Sequence, residues 1–296
     1  MKTILKTTNL TKKYGNKVVV NNVSMTINKG DIYGFVGKNG AGKTTFMKMI
    51  LNLTEKNAGE VILFDNKNIK EVGLKIGSLI ESPGIYKNAT AYENLKRFSI
   101  LYGSDESKIE DILKIVGLNN TKTKVKDFSL GMKQRLGIGI ALLNDPEMLL
   151  LDEPINGLDP EGIKDIRNII LKLNKEKNIT FLISSHLLDE LSKIATKYGI
   201  INEGILIEEI EVKDLKEKCK KKLIIEVNDA IKAKKVLVKQ IPEKNINIIK
   251  NKIEINSNIN DSYKINELLL KSGVQVKFIY LNYDSLEEYF MKRIGA

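Results

Sequence analysis

The sequence has a single cysteine and a single histidine in 296 residues. With Cys219 alone there is no disulfide framework, so a reducing, cytosolic setting is the expectation. Lysines flank Cys219 and would favour its thiolate, but a lone thiol outside any motif reads as an inert surface group. With His186 as the only imidazole, histidine-rich metal sites and relays between two histidines are excluded. No apolar run approaches the roughly 18 residues that a membrane span needs. Ile179 to Leu188 is uncharged, but it is short and carries Ser184, Ser185 and His186. The opening Met1-Lys2-Thr3-Ile4-Leu5-Lys6 has no apolar segment of the kind a secretory signal uses, so none is expected.

Positive charge is plentiful. A formal net charge of +11 calls for an acidic partner, whether nucleic acid, an anionic membrane face or a nucleotide, and by itself selects none of them. Lysine is spread along the whole chain, so part of this excess is compositional. The length suits one large domain or two modest ones.

The stretch Gly37-Lys38-Asn39-Gly40-Ala41-Gly42-Lys43-Thr44-Thr45 fits the phosphate-loop pattern, with Gly37, Gly42, Lys43 and Thr44 in register. Asp31 to Val36 before it reads as a buried strand, and Thr45 to Leu51 after it has helical spacing. Strand, glycine loop and helix together make a nest of backbone N–H groups at a positive helix end, which holds phosphate. Asn39, Gly40 and Gly42 form the cradle, where glycine lets the backbone approach without a Cβ clash. Lys43 is placed for the β- and γ-phosphates, and the Thr44 hydroxyl for Mg²⁺.

The predicted strands and helices then alternate. Residues 4–8 and 17–27 read as strands, with Tyr14-Gly15 between them, and Tyr14 could stack on a base. Residues 60–64 and 74–80 read as further strands. From about 84 to 145 the pattern is helical, with segments at 91–102, 107–116 and 131–143, which implies a helical subdomain inside the nucleotide domain. Glu147 to Pro154 is an apolar run ending in two acids, the pattern of a buried parallel strand that delivers carboxylates to the sheet edge. Asp152 is placed to hold Mg²⁺ and Glu153 to polarise an attacking water. Residues 160–175 read as an amphipathic helix and Ile179 to Ser184 as a strand leading to His186. Glu208 to Lys222 is dense in charge and reads as a linking helix. Beyond it, strands at 223–227, 246–249, 252–256 and 274–281 and helices at 229–240, 261–272 and 284–293 give a βαββαβ order with a final helix, a small α+β domain of the split-βαβ kind. The boundary falls at 210/211.

Phe128-Ser129-Leu130-Gly131-Met132-Lys133-Gln134-Arg135 opens a helix with a serine and a glycine, a second phosphate-binding end. One nucleotide does not need two such ends from one chain, but two chains facing head to tail would use both.

Over residues 3–210 these motifs, in this order, resemble the ATP-binding cassette ATPases. The resemblance implies an α/β P-loop NTPase with a helical subdomain, followed here by the small α+β domain. Gly37 to Thr45 is similar to the Walker A loop, Asp152-Glu153 to Walker B with its catalytic glutamate, and Ser129-Leu130-Gly131-Met132 to the signature motif. Leu158-Asp159 resembles the D-loop, His186 the switch histidine, and Tyr14 the adenine-stacking aromatic. Two positions depart from the common pattern. The signature reads Ser-Leu-Gly-Met where Ser-Gly-Gly-Gln is commoner, and Glu81 stands where a glutamine is usual. A carboxylate at Glu81 can bind Mg²⁺ or water but cannot donate a hydrogen bond when ionised. Glu81, the sequel Ser82-Pro83-Gly84-Ile85-Tyr86 and the C-terminal appendix resemble the transporters that protect bacteria against lantibiotics and bacitracin-like peptides.

The resemblance implies a cytoplasmic ATPase subunit, peripheral on the inner face of the cell membrane, that hydrolyses ATP with Mg²⁺. It implies a homodimer sandwiching ATP, and separate transmembrane permease subunits. The acidic partner is then the nucleotide, and no nucleic acid is expected. The rivals are other efflux systems for sodium or drugs, and a cassette protein acting on ribosomes, which usually has two cassettes per chain. A chromosome-maintenance ATPase would need a long coiled-coil insertion, and a small P-loop kinase or GTPase would not need Ser129, Gly131 or His186.

Overall fold

The computed structural model describes residues 2–66, 72–119, 121–218, 221–256, 262–283 and 286–293. Cys219 and the first residues of the helices expected at 261 and 284 lie outside them. The chain divides into two compact units, Met1–Val212 and Lys213–Ala296.

The first unit opens with two long antiparallel strands, β1 (Thr3–Tyr14) and β2 (Lys17–Asn28). β1 runs well past the expected residue 8. Its register shifts near Asn9 and Asn22, which both take left-handed backbone, are irregularities that let a strand this long bend. β3 (Ile32–Val36) then runs into the glycine loop and α1 (Lys43–Ile50). β4 (Ala58–Leu63) pairs with β1, giving a three-stranded sheet of order β2-β1-β4. After β5 (Ile76–Leu79) come the three main helices of the subdomain, α2 (Ala91–Tyr102), α3 (Ile109–Ile115) and α4 (Leu130–Ala141). Thr90 and Glu93 cap the first of these reciprocally, and Gly103 in left-handed conformation ends it.

β6 (Met148–Asp152), α5 (Pro160–Lys177), β7 (Thr180–Ser185), the short α6 (Leu188–Leu191), β8 (Lys197–Asn202) and β9 (Ile205–Glu211) complete the unit. Asp159 caps α5 and Pro160 opens it, where a missing N–H costs nothing. The second sheet has the order β5-β6-β7-β3-β8-β9, parallel except for β9. β3, β6 and β7 are buried at every residue. Burial of each leucine from Leu149 to Leu151 is worth about 1.5–3 kcal/mol, so the middle of this sheet is rigid enough to hold strained residues at its edge.

The strand register positions the chemistry. Asp152 pairs with Ser184 across β6 and β7, and Val36 with Ser185 across β3 and β7. The carboxyl ends of three neighbouring strands are therefore level. The glycine loop, the two acids and His186 all leave the sheet at that one edge, where ligands bind in open α/β sheets.

The expected helix over Glu208 to Lys222 forms only in its middle part. Residues up to Glu211 belong to β9, a helix α7 (Val212–Lys218) follows, and a new strand starts at Lys221. The charge density that suggested a helix is accommodated in the strand by partners on β3 and β8. Glu209 accepts a hydrogen bond from the buried Tyr33 hydroxyl at 2.9 Å and pairs with Lys197 at 3.1 Å. Burial, with Glu209 beside it, pushes the Tyr33 phenol well above its ordinary range.

In the second unit β10 (Lys221–Val227), α8 (Ala230–Leu237), β11 (Ile246–Ile249), β12 (Lys252–Ile255), α9 (Ser262–Lys271) and β13 (Val276–Tyr283) follow one another, and α10 (Leu286–Arg293) comes last. The sheet order is β11-β12-β10-β13, all antiparallel. Alternate apolar residues Leu223, Ile225 and Val227 of β10 pack with Ala233, Leu237, Ile265 and Leu269 from the helices into a separate core. This is the split-βαβ arrangement.

Candidate functional site

The site is built around a few side chains at the level strand ends. Gly42 enters α1 in left-handed conformation at φ +102°, and a Cβ there would lie 2.5 Å from the Val19 carbonyl oxygen, so only glycine fits. Gly40, also left-handed, faces open space. Val19, Asn39, Gly40, Gly42, Lys43, Thr44, Thr45 and Glu153 line a cleft of about 210 Å³. The α1 N-terminus opens on it, with no side-chain cap and no acid in its first turn. The uncapped N–H groups and the dipole suit an anion.

Lys43 is only 5% exposed. Its ammonium donates to the carbonyls of Gly37 at 2.7 Å and Lys38 at 3.2 Å, and faces Glu153 Oε1 at 3.1 Å. That carboxylate oxygen is buried and accepts no hydrogen bond of good geometry, so among the described residues the ammonium is the counter-charge it meets. The other oxygen, Oε2, lies 2.9 Å from His186 Nδ1. A carboxylate only accepts, so Nδ1 carries the proton. Glu153 itself sits at φ +48°, a left-handed conformation costing a non-glycine residue about 1–2 kcal/mol. Such strain at a site marks a side chain aimed by its surroundings.

The Thr44 hydroxyl donates to Asp152 Oδ2 at 2.7 Å, and the Ser184 hydroxyl to Oδ1 at 2.5 Å. Thr44 and Asp152 thus offer adjacent hard oxygens. Mg²⁺ prefers few protein ligands and completes its shell from phosphate and water. Among the described residues no group of three or more His, Cys, Asp or Glu could hold a metal by itself, so the donor set fits a nucleotide-borne Mg²⁺ and not a protein cage.

No described hydrogen bond or ion pair joins the other expected site residues directly to this cluster. Tyr14 ends β1, 51% exposed, with Lys12 over its ring at 4.9 Å and its hydroxyl 3.5 Å from Thr54 Oγ1. Its open face is available for stacking. Ser129 caps α4, accepting from the Met132 N–H at 3.2 Å, and Gly131 is buried beside the start of α5. Asp159 accepts from the Gly162 N–H at 3.1 Å. The observed contacts join none of these three to Lys43 or Glu153. Glu81 follows β5 in left-handed backbone at φ +61° and pairs with Lys48 at 2.5 Å. Lys48 lies one helical turn beyond Thr44, on the same face of α1. The bond to Glu81 holds the Lys48 ammonium above its ordinary range, although slight burial works the other way.

Three contributors were not anticipated: Ser184, Lys48 and the backbone of Val19. Ser184 carried a signal, since a hydroxyl closing an apolar strand just before His186 has no need to be polar unless it meets a partner. Lys48 reads as an ordinary helix residue.

A strand, glycine loop and helix with a paired lysine, threonine and Walker-type acids on one edge of a parallel sheet define a P-loop nucleotide triphosphatase. The family model for ABC transporters matches residues 20–156. The bacitracin transport ATP-binding protein BcrA of Bacillus licheniformis is 44% identical over 302 residues, covering 100% of this chain and 99% of its own length. The lantibiotic transport ATP-binding protein SrtF of Streptococcus pyogenes is 48% identical over 209 residues, covering 70% of this chain and 91% of its own. Among solved structures, the dimeric MJ0796, a bacterial ABC transporter cassette, superposes with a TM-score of 0.63 at 25% identity, covering 71% of this chain and 99% of that one. The chain belongs to the ABC transporter ATP-binding proteins and is an ATPase that hydrolyses ATP for transport. Among its described residues no helix is long and apolar enough to cross a membrane.

Proposed function

We propose that this chain powers an exporter that protects a bacterial cell against lantibiotic or bacitracin-like peptides. The observation that carries this reading is the extent of the likeness to the bacitracin transport protein, which includes the whole C-terminal unit and not the cassette alone. Glu81, where the family commonly has glutamine, supports it. In this reading the chain is cytoplasmic, peripheral on the inner face of the cell membrane, and acts with separate transmembrane permease subunits.

Two copies close head to tail over ATP. That no described contact joins Ser129, Gly131 or Asp159 to the Lys43 cluster in one chain supports this, as does the paired state of the MJ0796 cassette. Each copy then supplies its signature serine and glycine to the other's nucleotide. Thr44 and Asp152 hold Mg²⁺, with Glu81 as a further oxygen donor. The metal offsets charge on the phosphates. Lys43 exchanges Glu153 for the γ-phosphate, which frees Glu153 to take a proton from water. His186 contacts the γ-phosphate, Tyr14 stacks on adenine, and the Gly37–Thr45 loop holds the phosphates through its amides.

Glu81 is the residue whose role separates the two functions of the chain. Its ion pair with Lys48 is largely exposed, so losing it costs no more than about 1 kcal/mol of stability. The loop leaving Glu81 must move when nucleotide binds or leaves. Glu81→Ala is expected to leave ATP affinity within about tenfold of wild type, while peptide resistance falls strongly because coupling to the permease is lost. Glu81→Gln retains more, since its oxygen still reaches the metal. Growth against a lantibiotic or bacitracin, with ATPase assayed in parallel, reads both. Full resistance in Glu81→Ala removes the coupling role. No peptide phenotype on deletion of the whole gene removes the peptide assignment and leaves the ATPase untouched.

A further inference from the structure

We propose that Ser184 is a positioning residue which, through one hydroxyl, sets Asp152 and Glu153 together. The side chain is fully buried at the end of β7, directly opposite Asp152 in the parallel register. Its Oγ–H donates to Asp152 Oδ1 at 2.5 Å, and the same oxygen accepts from the Glu153 N–H at 2.9 Å. The Ser184 carbonyl shares that N–H at 3.2 Å.

Each bond answers a need that the neighbouring chain creates. β6 ends at Asp152, and the Glu153 N–H that follows makes the last bond of the parallel ladder, a long one of 3.2 Å to the Ser184 carbonyl. A buried N–H needs an acceptor, and Ser184 provides two. Asp152 has its Oδ2 fixed by Thr44, which leaves rotation about its last bond to be set from Oδ1. The Ser184 hydroxyl closes that rotation. Asp152 is thereby clamped between two hydroxyls, and the peptide leading to Glu153 is tied to the same oxygen.

A serine hydroxyl both donates and accepts, so it can do both at once. Alanine at 184 keeps the carbonyl bond to Glu153 but abandons Asp152 Oδ1. Partners of this kind, one bond behind a metal-holding group, change metal affinity or activity by about 10–100-fold when lost. The inference rests on the reading that Thr44 and Asp152 hold Mg²⁺.

The test uses the purified full chain and three readouts. A fluorescent ATP analogue is titrated with Mg²⁺ to find the metal concentration that half-saturates nucleotide binding. Turnover is measured at saturating ATP and Mg²⁺, and Tm without nucleotide. S184A is expected to raise the Mg²⁺ midpoint about tenfold and to lower kcat about tenfold or more, with Tm within a few degrees of wild type. S184T, which restores the hydroxyl, is expected to recover most of both.

Unchanged midpoint and kcat in S184A overturn the proposal. So does a folded S184T that behaves like S184A, because shape and not the hydroxyl would then be what matters. If the extra methyl lowers the Tm of S184T by more than about 5 °C, S184A alone decides. Nucleotide binding that is independent of Mg²⁺ in the wild-type chain would count against the metal reading instead, and kcat of S184A would still judge Ser184.

Discussion

Glu153→Gln is expected to retain ATP binding and to lose hydrolysis by about 10²–10⁴-fold, the usual contribution of a positioned general base. The amide keeps an oxygen for His186 Nδ1, which now lies 2.9 Å from the carboxylate, so the local geometry survives. It cannot take a proton from water. It also removes the counter-charge that Lys43 faces at 3.1 Å, which leaves the ammonium freer to meet phosphate. Nucleotide affinity should therefore hold or rise, and the ATP-bound pair of chains should accumulate. Phosphate release and size-exclusion chromatography with ATP measure both. A purified variant that turns over within about threefold of wild type would show that Glu153 is not the base.

The second large effect concerns the shared site. Ser129→Arg is expected to stop turnover and leave the single chain's ATP affinity unchanged. Ser129 is exposed, so the arginine fits on the isolated chain, and loss of its cap on α4 costs only about 1 kcal/mol. In a closed pair the bulky cation would lie on the partner's nucleotide. Mixing Ser129→Arg with Lys43→Ala chains gives the sharper measurement. Each mixed pair has one composite site with both lesions and one with neither, so an equal mixture should recover up to about a quarter of wild-type ATPase if the sites act independently. Mixed pairs that form but show no recovery would count against independent sites. Full activity in Ser129→Arg alone would end the sharing model.

Much of this site was legible because its motifs are local. The glycine loop, with its flanking strand and helix, is one continuous stretch, and Asp152-Glu153 ends an apolar run that only a buried parallel strand explains. Contacts between distant segments were harder to see. The Thr44–Asp152 bond spans 108 positions and Ser184–Asp152 spans 32, and only the sheet register brings them together. Glu81 stood out only for replacing the usual glutamine and Lys48 not at all, and their pairing depends on where β5 ends relative to α1. The strand residues missed at Glu208 to Glu211 have the same cause. The glutamates here look solvated in a linear reading, whereas Glu209 meets Tyr33 and Lys197 on β3 and β8. β8 follows only four helical residues at α6, so no βαβ pattern announced it.

The turn between β8 and β9 has an outcome for anyone engineering this chain. Glu203 and Gly204, both at positive φ, make a two-residue hairpin loop of the primed kind. Loop tips of this sort are where epitopes, dyes and circular permutations are ordinarily introduced. Here the Gly204 N–H bonds to the Ala41 carbonyl at 3.0 Å, and the Gly204 carbonyl receives the Asn21 N–H at 2.8 Å. A Cβ on Gly204 would come within 2.5 Å of the Val19 carbonyl oxygen, the same oxygen that crowds Gly42. The hairpin tip is thus a buttress for the glycine loop. A tag inserted there would disturb nucleotide binding from outside the cleft, whereas the Gly103-Ser104 turn, also at a loop but remote from these bonds, offers a safer place to attach one.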